Sequence, residues 1–348
     1  MEQISEDQKY MHRCLQLARN GRSGAKPNPM VGAVIVAGGR IIGEGYHVHC
    51  GEGHAEVNAF ASVSPADEHL LAEATMYVSL EPCSHYGRTP PCADLIIKKG
   101  VRRVVVGCED PFAKVHGRGI EKLREAGVDV TVGVLEDECR ELNKRFITFN
   151  TRHRPYVLIK WARTANGYID DNMRPAVISS PFTRMLSHKL RAENDAILVG
   201  RVTAERDNPQ LTVRYWYGND PLRIVIDRNH PFFPELDFSY TVVPQILAEL
   251  YRRGVESLIV EGGHLTIASF VRSRMWDEMR VETSPKSFDF GTGSPDIPGE
   301  AAFERRETFD GRFIDWFRNA ERLKPEDELE IFEKLEEYRR YSRLKANS

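Results

Sequence analysis

Thr75-Met76-Tyr77-Val78-Ser79-Leu80-Glu81-Pro82-Cys83, followed after eight residues by Cys92, decides the reading of the first half of the chain. Residues 75–80 read as a buried strand that ends by delivering Cys83. The spacer Ser84-His85-Tyr86-Gly87-Arg88-Thr89-Pro90-Pro91 ends in two prolines, which stop the loop. They lead into Cys92-Ala93-Asp94-Leu95-Ile96-Ile97, read as the first turns of a helix. Upstream, His54-Ala55-Glu56 opens another helix. One imidazole, two thiols and one spare carboxylate are therefore offered together.

Three side-chain ligands leave the fourth position of a tetrahedral zinc free for water, which marks a catalytic site rather than a structural one. Zinc brings the pKa of such a water down to about 7. His54, Cys83 and Cys92 are the expected ligands, and Glu56 is the group free to move protons. Both helix starts carry partial positive charge, which favours thiolate. Two other readings stay open. A structural zinc would need a fourth ligand from His47, His49, Cys50 or His85, and Cys83 and Cys92 could pair as a disulfide. Six cysteines in 348 residues with no secretory signal suggest a reducing compartment, against the disulfide.

This length suggests two domains, each with its own core. The net charge of −3 gives no basic field, so nucleic acid is not the expected partner. The acidic start Met1-Glu2-Gln3-Ile4-Ser5-Glu6-Asp7 is unlike a targeting peptide. No apolar run approaches the roughly 18 residues that span a bilayer, so no membrane partner is expected and the cytoplasm is the expected compartment.

Along the chain, Ser5 and Gln8 form a capping box before a helix that stops at Gly21. Val31–Val36 and Arg40–Tyr46 make a hairpin around Gly38-Gly39. After the His54 helix, strand 75–80 and the Cys92 helix come a strand 103–107, a helix 120–126, a strand 128–134 and one helix over 135–149. The polar Thr151-Arg152-His153-Arg154-Pro155 marks the boundary. The second half alternates again: strand 156–161, helix 181–191, strands 196–199 and 222–226, helix 244–253, strand 258–260, helix 265–272, then strands 280–283 and 312–317. Such alternation predicts layered α/β domains. The tail, 324–345, is dense in both charge signs, with Phe332, Leu335 and Tyr338 as an apolar stripe, and reads as a docked helix.

H-x-E, then P-C, then a second cysteine is the pattern of zinc-dependent nucleobase deaminases. The order Pro27-Asn28-Pro29-Met30-Val31-Gly32, Gly45-Tyr46-His47, His54-Ala55-Glu56 and Glu81 to Cys92 with its eight-residue spacer resembles the bifunctional riboflavin-biosynthesis deaminase/reductase family. The resemblance continues through Asn194 to Gly200, Asp207 to Arg214 and Val260-Glu261-Gly262-Gly263, covering roughly residues 5 to 318. It implies a cytidine-deaminase-like three-layer α/β/α domain over 1–150 and a dihydrofolate-reductase-like α/β domain over 154–318; the charged tail, over 319–348, lies outside it. It also implies zinc and NADPH as cofactors, with deamination of a ribosylaminopyrimidine 5'-phosphate followed by reduction of its ribose. In the first domain, Asn28 and His47 would grip the pyrimidine and Arg88 would contact the phosphate or pyrimidine. In the second, Arg191 and Arg214 would bind the substrate phosphate. Lys160, Ser179, Asp207, Leu211 and Glu261 would line the substrate, and Thr203, Asp207 and Gly263 the NADPH.

No G-x-G-x-x-G fingerprint follows a strand, so a Rossmann site is not expected. Glu261-Gly262-Gly263 instead sets two glycines before a helix start, where backbone amides can meet a diphosphate. The chain departs from the family pattern at Phe112, Arg163 and Asn166. Its segment 227–241 is shorter than the resemblance implies, where a further strand and loop are expected. Competing functions are a deaminase whose second domain serves only binding or assembly, a zinc-stabilised binding protein, and a nucleic-acid-editing deaminase. A homo-oligomer is the expected assembly.

Overall fold

The structure is a computed structural model that describes residues 5–84, 86, 90–111, 117–229 and 232–346. It divides into two compact units, Met1–Thr151 and Arg152–Ser348.

In the first unit the helices are α1 (Glu6–Ala18), α2 (Ala55–Ala61), α3 (Cys92–Lys98), α4 (Arg118–Glu125), α5 (Glu136–Leu142) and α6 (Lys144–Arg152). The strands are β1 (Gly32–Ala37), β2 (Arg40–Tyr46), β3 (Thr75–Leu80), β4 (Arg103–Cys108) and β5 (Asp129–Val132). Ser5 caps α1 through the expected box with Gln8. The sheet runs β2-β1-β3-β4-β5, antiparallel across the hairpin and β1–β3, then parallel. Period-two alternation sends Ala33, Ile35 and Ala37 to one face of β1 and Val34 and Val36 to the other. The first set packs with Ala55, Ala59, Phe60, Ala93, Ile96, Ile120 and Leu123 of α2, α3 and α4. The second packs with Tyr10, Met11, Cys14 and Leu15 of α1 and with Cys139 of α5. Helices on both faces make the three layers. Glycines on β2 let α2 settle close: a Cβ at Gly43 or Gly45 would collide with the backbone of Ala55 or Ala59.

The single helix expected over 135–149 is two. Asn143 breaks it, because its buried side chain clasps Met30: the Met30 N–H donates to its carbonyl at 2.9 Å and its amide donates to Met30 O at 2.9 Å. A side chain that serves a distant backbone in this way competes with helix continuity.

In the second unit the strands are β6 (Tyr156–Arg163), β7 (Ala196–Gly200), β8 (Leu222–Ile226), β9 (Ser257–Val260), β10 (Glu278–Thr283), β11 (Ala301–Phe309) and β12 (Arg312–Asn319). The helices are α7 (Pro181–Ala192), α8 (Arg201–Asp207), α9 (Val242–Arg252), α10 (His264–Ser273) and α11 (Pro325–Ala346). The sheet runs β11-β12-β10-β6-β9-β7-β8, parallel from β10 to β8, with the hairpin β11–β12 antiparallel at one edge. Sequence reading missed α8 and β11. The latter is an edge strand whose Glu304, Arg305, Arg306 and Glu307 hide the apolar alternation, as charges on an edge do. No strand forms in the described part of 227–241. Phe233 is buried there, and Tyr338 of α11 donates to Asp237 at 2.6 Å and stacks on Tyr240.

Arg154 is wholly buried rather than part of a solvated linker. Its guanidinium pairs with Asp277 at 2.6 and 3.0 Å, with Glu328 at 3.0 and 3.1 Å, and with Pro155 O at 2.9 Å. The starts of β6, β10 and α11 are thereby tied at one point. Removing one partner from a buried pair strands the other charge, at about 3–5 kcal/mol. Glu328→Ala should lower the stability of the second unit by that order, read as an earlier transition in urea, while Leu335→Ala, a plain cavity in the same helix interface, should cost about 2–5 kcal/mol.

Candidate active sites

His54 is the N-cap residue of α2, Cys83 follows β3 by three residues, and Cys92 is the first residue of α3. His54 Nδ1 lies 3.5 Å from Cys83 Sγ and 3.4 Å from Cys92 Sγ, and all three donor atoms fall within 4.8 Å of one another. Tetrahedral zinc with ordinary Zn–N and Zn–S bonds requires a nitrogen–sulfur separation of about 3.5 Å, so the donor set fits the ion. All six cysteines are free, which removes the disulfide. His47 is not available as a fourth ligand: Nδ1 faces Gly53 O at 3.2 Å and Nε2 faces the Asn28 amide at 3.0 Å. Among the described residues, no fourth His, Cys, Asp or Glu joins the cluster.

The Cys92 thiol, donating to Cys83, holds Cys83 down to about 4, with His54 helping, and the same contact raises Cys92. The pair thus shares one proton, which a metal would displace. Glu56 is buried; burial, then the neighbouring Cys83 charge, pushes its carboxyl up to about 7 before any metal charge is counted. The carboxyl adjoins Cys92, so the acid faces the donor cluster. The ring of His47 stands edge-on to that of His54 at 5.2 Å, and burial holds His47 below the usual imidazole range. Asn28 and His47 are therefore joined to each other beside the cluster. Arg88 and Phe112 lie outside the described residues.

One residue of this unit escaped sequence reading. Buried Glu81 accepts backbone N–H groups from Asp110, Gly117, Gly119 and Ile120 at 3.2, 3.0, 2.8 and 3.3 Å. It thereby pins the start of α4 against the strand end that carries Cys83. Its adjacency to Pro82-Cys83 was the available signal, but the donors come from residues 29 to 39 positions away.

In the second unit Lys160, Arg191 and Glu261 converge: Arg191 Nη2 donates to Glu261 at 2.9 Å and Lys160 Nζ lies 3.9 Å from it. Burial would raise Glu261, yet Lys160 and Arg191 hold it below the carboxylate range; burial lowers Lys160. Arg191 also donates to Thr212 O, and Arg214 donates to Thr212 Oγ1 at 2.9 Å and to Gln210. The Arg214 N–H donates to His188 Nδ1, and burial, then Arg191 and Arg214, push that imidazole down to about 4. Ser179 donates to Glu282 at 2.9 Å. Leu211 is buried with Ile197 and Val199. Thr203 Oγ1 accepts the Gly263 N–H at 3.0 Å, tying α8 to the start of α10, which has no side-chain cap. Gly262 is closed by packing, because a Cβ would meet Thr266 at 2.8 Å. Burial, then Asp170, raises Asp207. Arg163 donates to Thr283, and Asn166 ties to the Phe288 backbone. Glu282, Arg280 and Arg312 were missed; on a strand read from period alone they passed as core or surface positions.

A three-layer unit with a His-Cys-Cys donor set beside a buried glutamate defines a zinc-dependent deaminase of the cytidine-deaminase class. Residues 4–108 match the family described as the cytidine and deoxycytidylate deaminase zinc-binding region, and residues 155–305 match the RibD C-terminal domain. The riboflavin biosynthesis protein RibD of Aquifex aeolicus is 38% identical over 331 residues, 84% of this chain and 90% of its own. That of Escherichia coli is 35% identical over 334 residues, 81% and 88%. The crystal structure of a diaminohydroxyphosphoribosylaminopyrimidine deaminase/5-amino-6-(5-phosphoribosylamino)uracil reductase from Thermotoga maritima has a TM-score of 0.82 at 34% identity, covering 90% of this chain and 99% of that one. The chain belongs to the RibD family of riboflavin-biosynthesis proteins, enzymes with a zinc-binding deaminase domain and a reductase domain. No described helix is long and apolar enough to cross a membrane.

Glu81→Gln would set an N–H against backbone N–H donors. It should destabilise the first unit by about 1–3 kcal/mol and lower zinc retention, measured by urea unfolding and by metal analysis after desalting.

Proposed function

We propose that the first unit hydrolyses the ring amino group of a diaminopyrimidine ribosylamino 5'-phosphate and that the second reduces the ribose of the product to a ribityl chain with NADPH. The observation that carries the first half is the meeting of His54 Nδ1, Cys83 Sγ and Cys92 Sγ beside buried Glu56. His54, Cys83 and Cys92 would hold zinc, which lowers the pKa of water at an open position. Glu56 would take one proton from the attacking water and pass it to the ring nitrogen, then take the second from the new hydroxyl and pass it to the amino group, which departs as ammonia. Asn28 and His47, fixed by their mutual hydrogen bond, hold the pyrimidine, and Arg88 contacts its phosphate or ring.

Hydride transfer asks for positioning rather than proton chemistry. Arg191 and Arg214 offer guanidinium forks for the substrate phosphate. Lys160, Ser179, Asp207, Leu211 and Glu261 line the substrate, and Thr203, Asp207 and Gly263 the NADPH, whose diphosphate suits the uncapped start of α10. The second unit's match to the RibD C-terminal domain favours this over a deaminase with an inert second domain. A homo-oligomer working on this small-molecule nucleotide, in the cytoplasm, completes the reading.

The test is a coupled assay with the pyrimidine nucleotide. Without NADPH, ammonia should appear and the deaminated intermediate accumulate; with NADPH, its oxidation should follow. Glu56→Gln should keep its zinc, lose deamination by about 10²–10⁴-fold, and reduce supplied intermediate at the unchanged rate. Wild-type deamination by that variant would refute the role of Glu56. Chelation should silence the deaminase and spare the reductase.

A further inference from the structure

Two fully buried arginines in the second unit are treated in opposite ways. Arg154 makes five hydrogen bonds and is a structural tie. Arg280, 1% exposed on β10, has both Nη groups buried without a hydrogen-bond partner. Register places Arg280 between Lys160 of β6 and Trp316 of β12, with its guanidinium 5.8 Å from the Trp316 ring centre. The acids that face it are each engaged elsewhere. Glu282 accepts from Ser179 and Thr183 and pairs loosely with Arg312; Glu307 accepts from Arg305; Glu261 accepts from Arg191. Unsatisfied atoms gather on this same face, with Arg191 Nε, Glu261 Oε1, Arg312 Nε and Trp316 Nε1 also lacking partners. A core that merely needed volume here would be better served by an apolar side chain, because an unpaired buried ion carries a large desolvation penalty.

The neighbouring geometry shows what the charge does. Lys160 Nζ stops 3.9 Å from Glu261, beyond hydrogen-bonding distance, although both are nearly buried. Glu261 is shared among Lys160, Arg191 and Arg280, and Lys160 is repelled by Arg280. We propose that Arg280 is a positioning residue of the reductase site, a fixed cation beside Lys160 and Glu261 that keeps this pair from closing on itself and leaves the Lys160 ammonium free for an anionic nucleotide substrate. The inference rests on reading the reductase reaction at this site. Without Arg280, Lys160 collapses onto Glu261 and the substrate must break that pair to bind.

Steady-state kinetics and thermal unfolding of the full chain carrying Arg280→Met or Arg280→Lys test it. In Arg280→Met, KM for the deaminated ribosylamino nucleotide should rise about tenfold, with kcat and KM for NADPH close to wild type and deamination unchanged. Loss of an unpaired buried charge should leave the unfolding temperature unchanged or higher. Arg280→Lys should recover part of the lost affinity. A wild-type nucleotide KM in Arg280→Met overturns the proposal, as does a parallel rise of both KM values with earlier unfolding in both variants, which would mark Arg280 as structural. A wild-type chain that reduces no substrate would instead overturn the reductase reading, and this inference with it.

Discussion

Three donor atoms from three stretches of chain, His54 Nδ1, Cys83 Sγ and Cys92 Sγ, meet within 4.8 Å of one another, a spacing that tetrahedral zinc accepts. Nearly everything in the first unit serves that spacing. Cys83 follows the end of β3 by three residues, and α3 begins at Cys92 with Pro91 as its N-cap residue. The glycines of β2 admit α2 closely enough to bring His54 to the same point. Glu81 then holds the loop behind Cys83 by collecting amides that would otherwise be stranded.

The second unit solves a different problem, that of keeping charges inside a sheet face. Arg154 shows full compensation, with carboxylates on two sides and a carbonyl on a third. Around Lys160 and Glu261 compensation is left incomplete. A protein tolerates such an arrangement where a ligand supplies the missing partner, since strain of this kind persists only when the surrounding structure over-determines it. The difference between the two clusters separates scaffold from site without reference to any bound molecule.

Much of this was legible beforehand. The hairpin, strand 75–80, the helix starts at His54 and Cys92 and the strand 222–226 follow from local rules: period two, proline at a helix start, glycine pairs in turns. The meeting of His54, Cys83 and Cys92 was legible because few residue types can serve as metal donors. What escaped depends on partners distant in sequence. The break at Asn143 needs Met30; the burial of Arg154 needs Asp277 and Glu328; Glu81 needs amides beyond residue 109. The edge strand β11 was masked by its own charges. Arg280 looked like one more residue of a strand, and only its register neighbours reveal an uncompensated ion.

The Asn143–Met30 clasp ties the loop that bears Asn28 to a residue 113 positions further along the chain than Met30. His54, Cys83 and Cys92 precede Asn143 by 89, 60 and 51 positions. A change at Asn143 would therefore reach the loop that bears Asn28 without touching His54, Cys83 or Cys92.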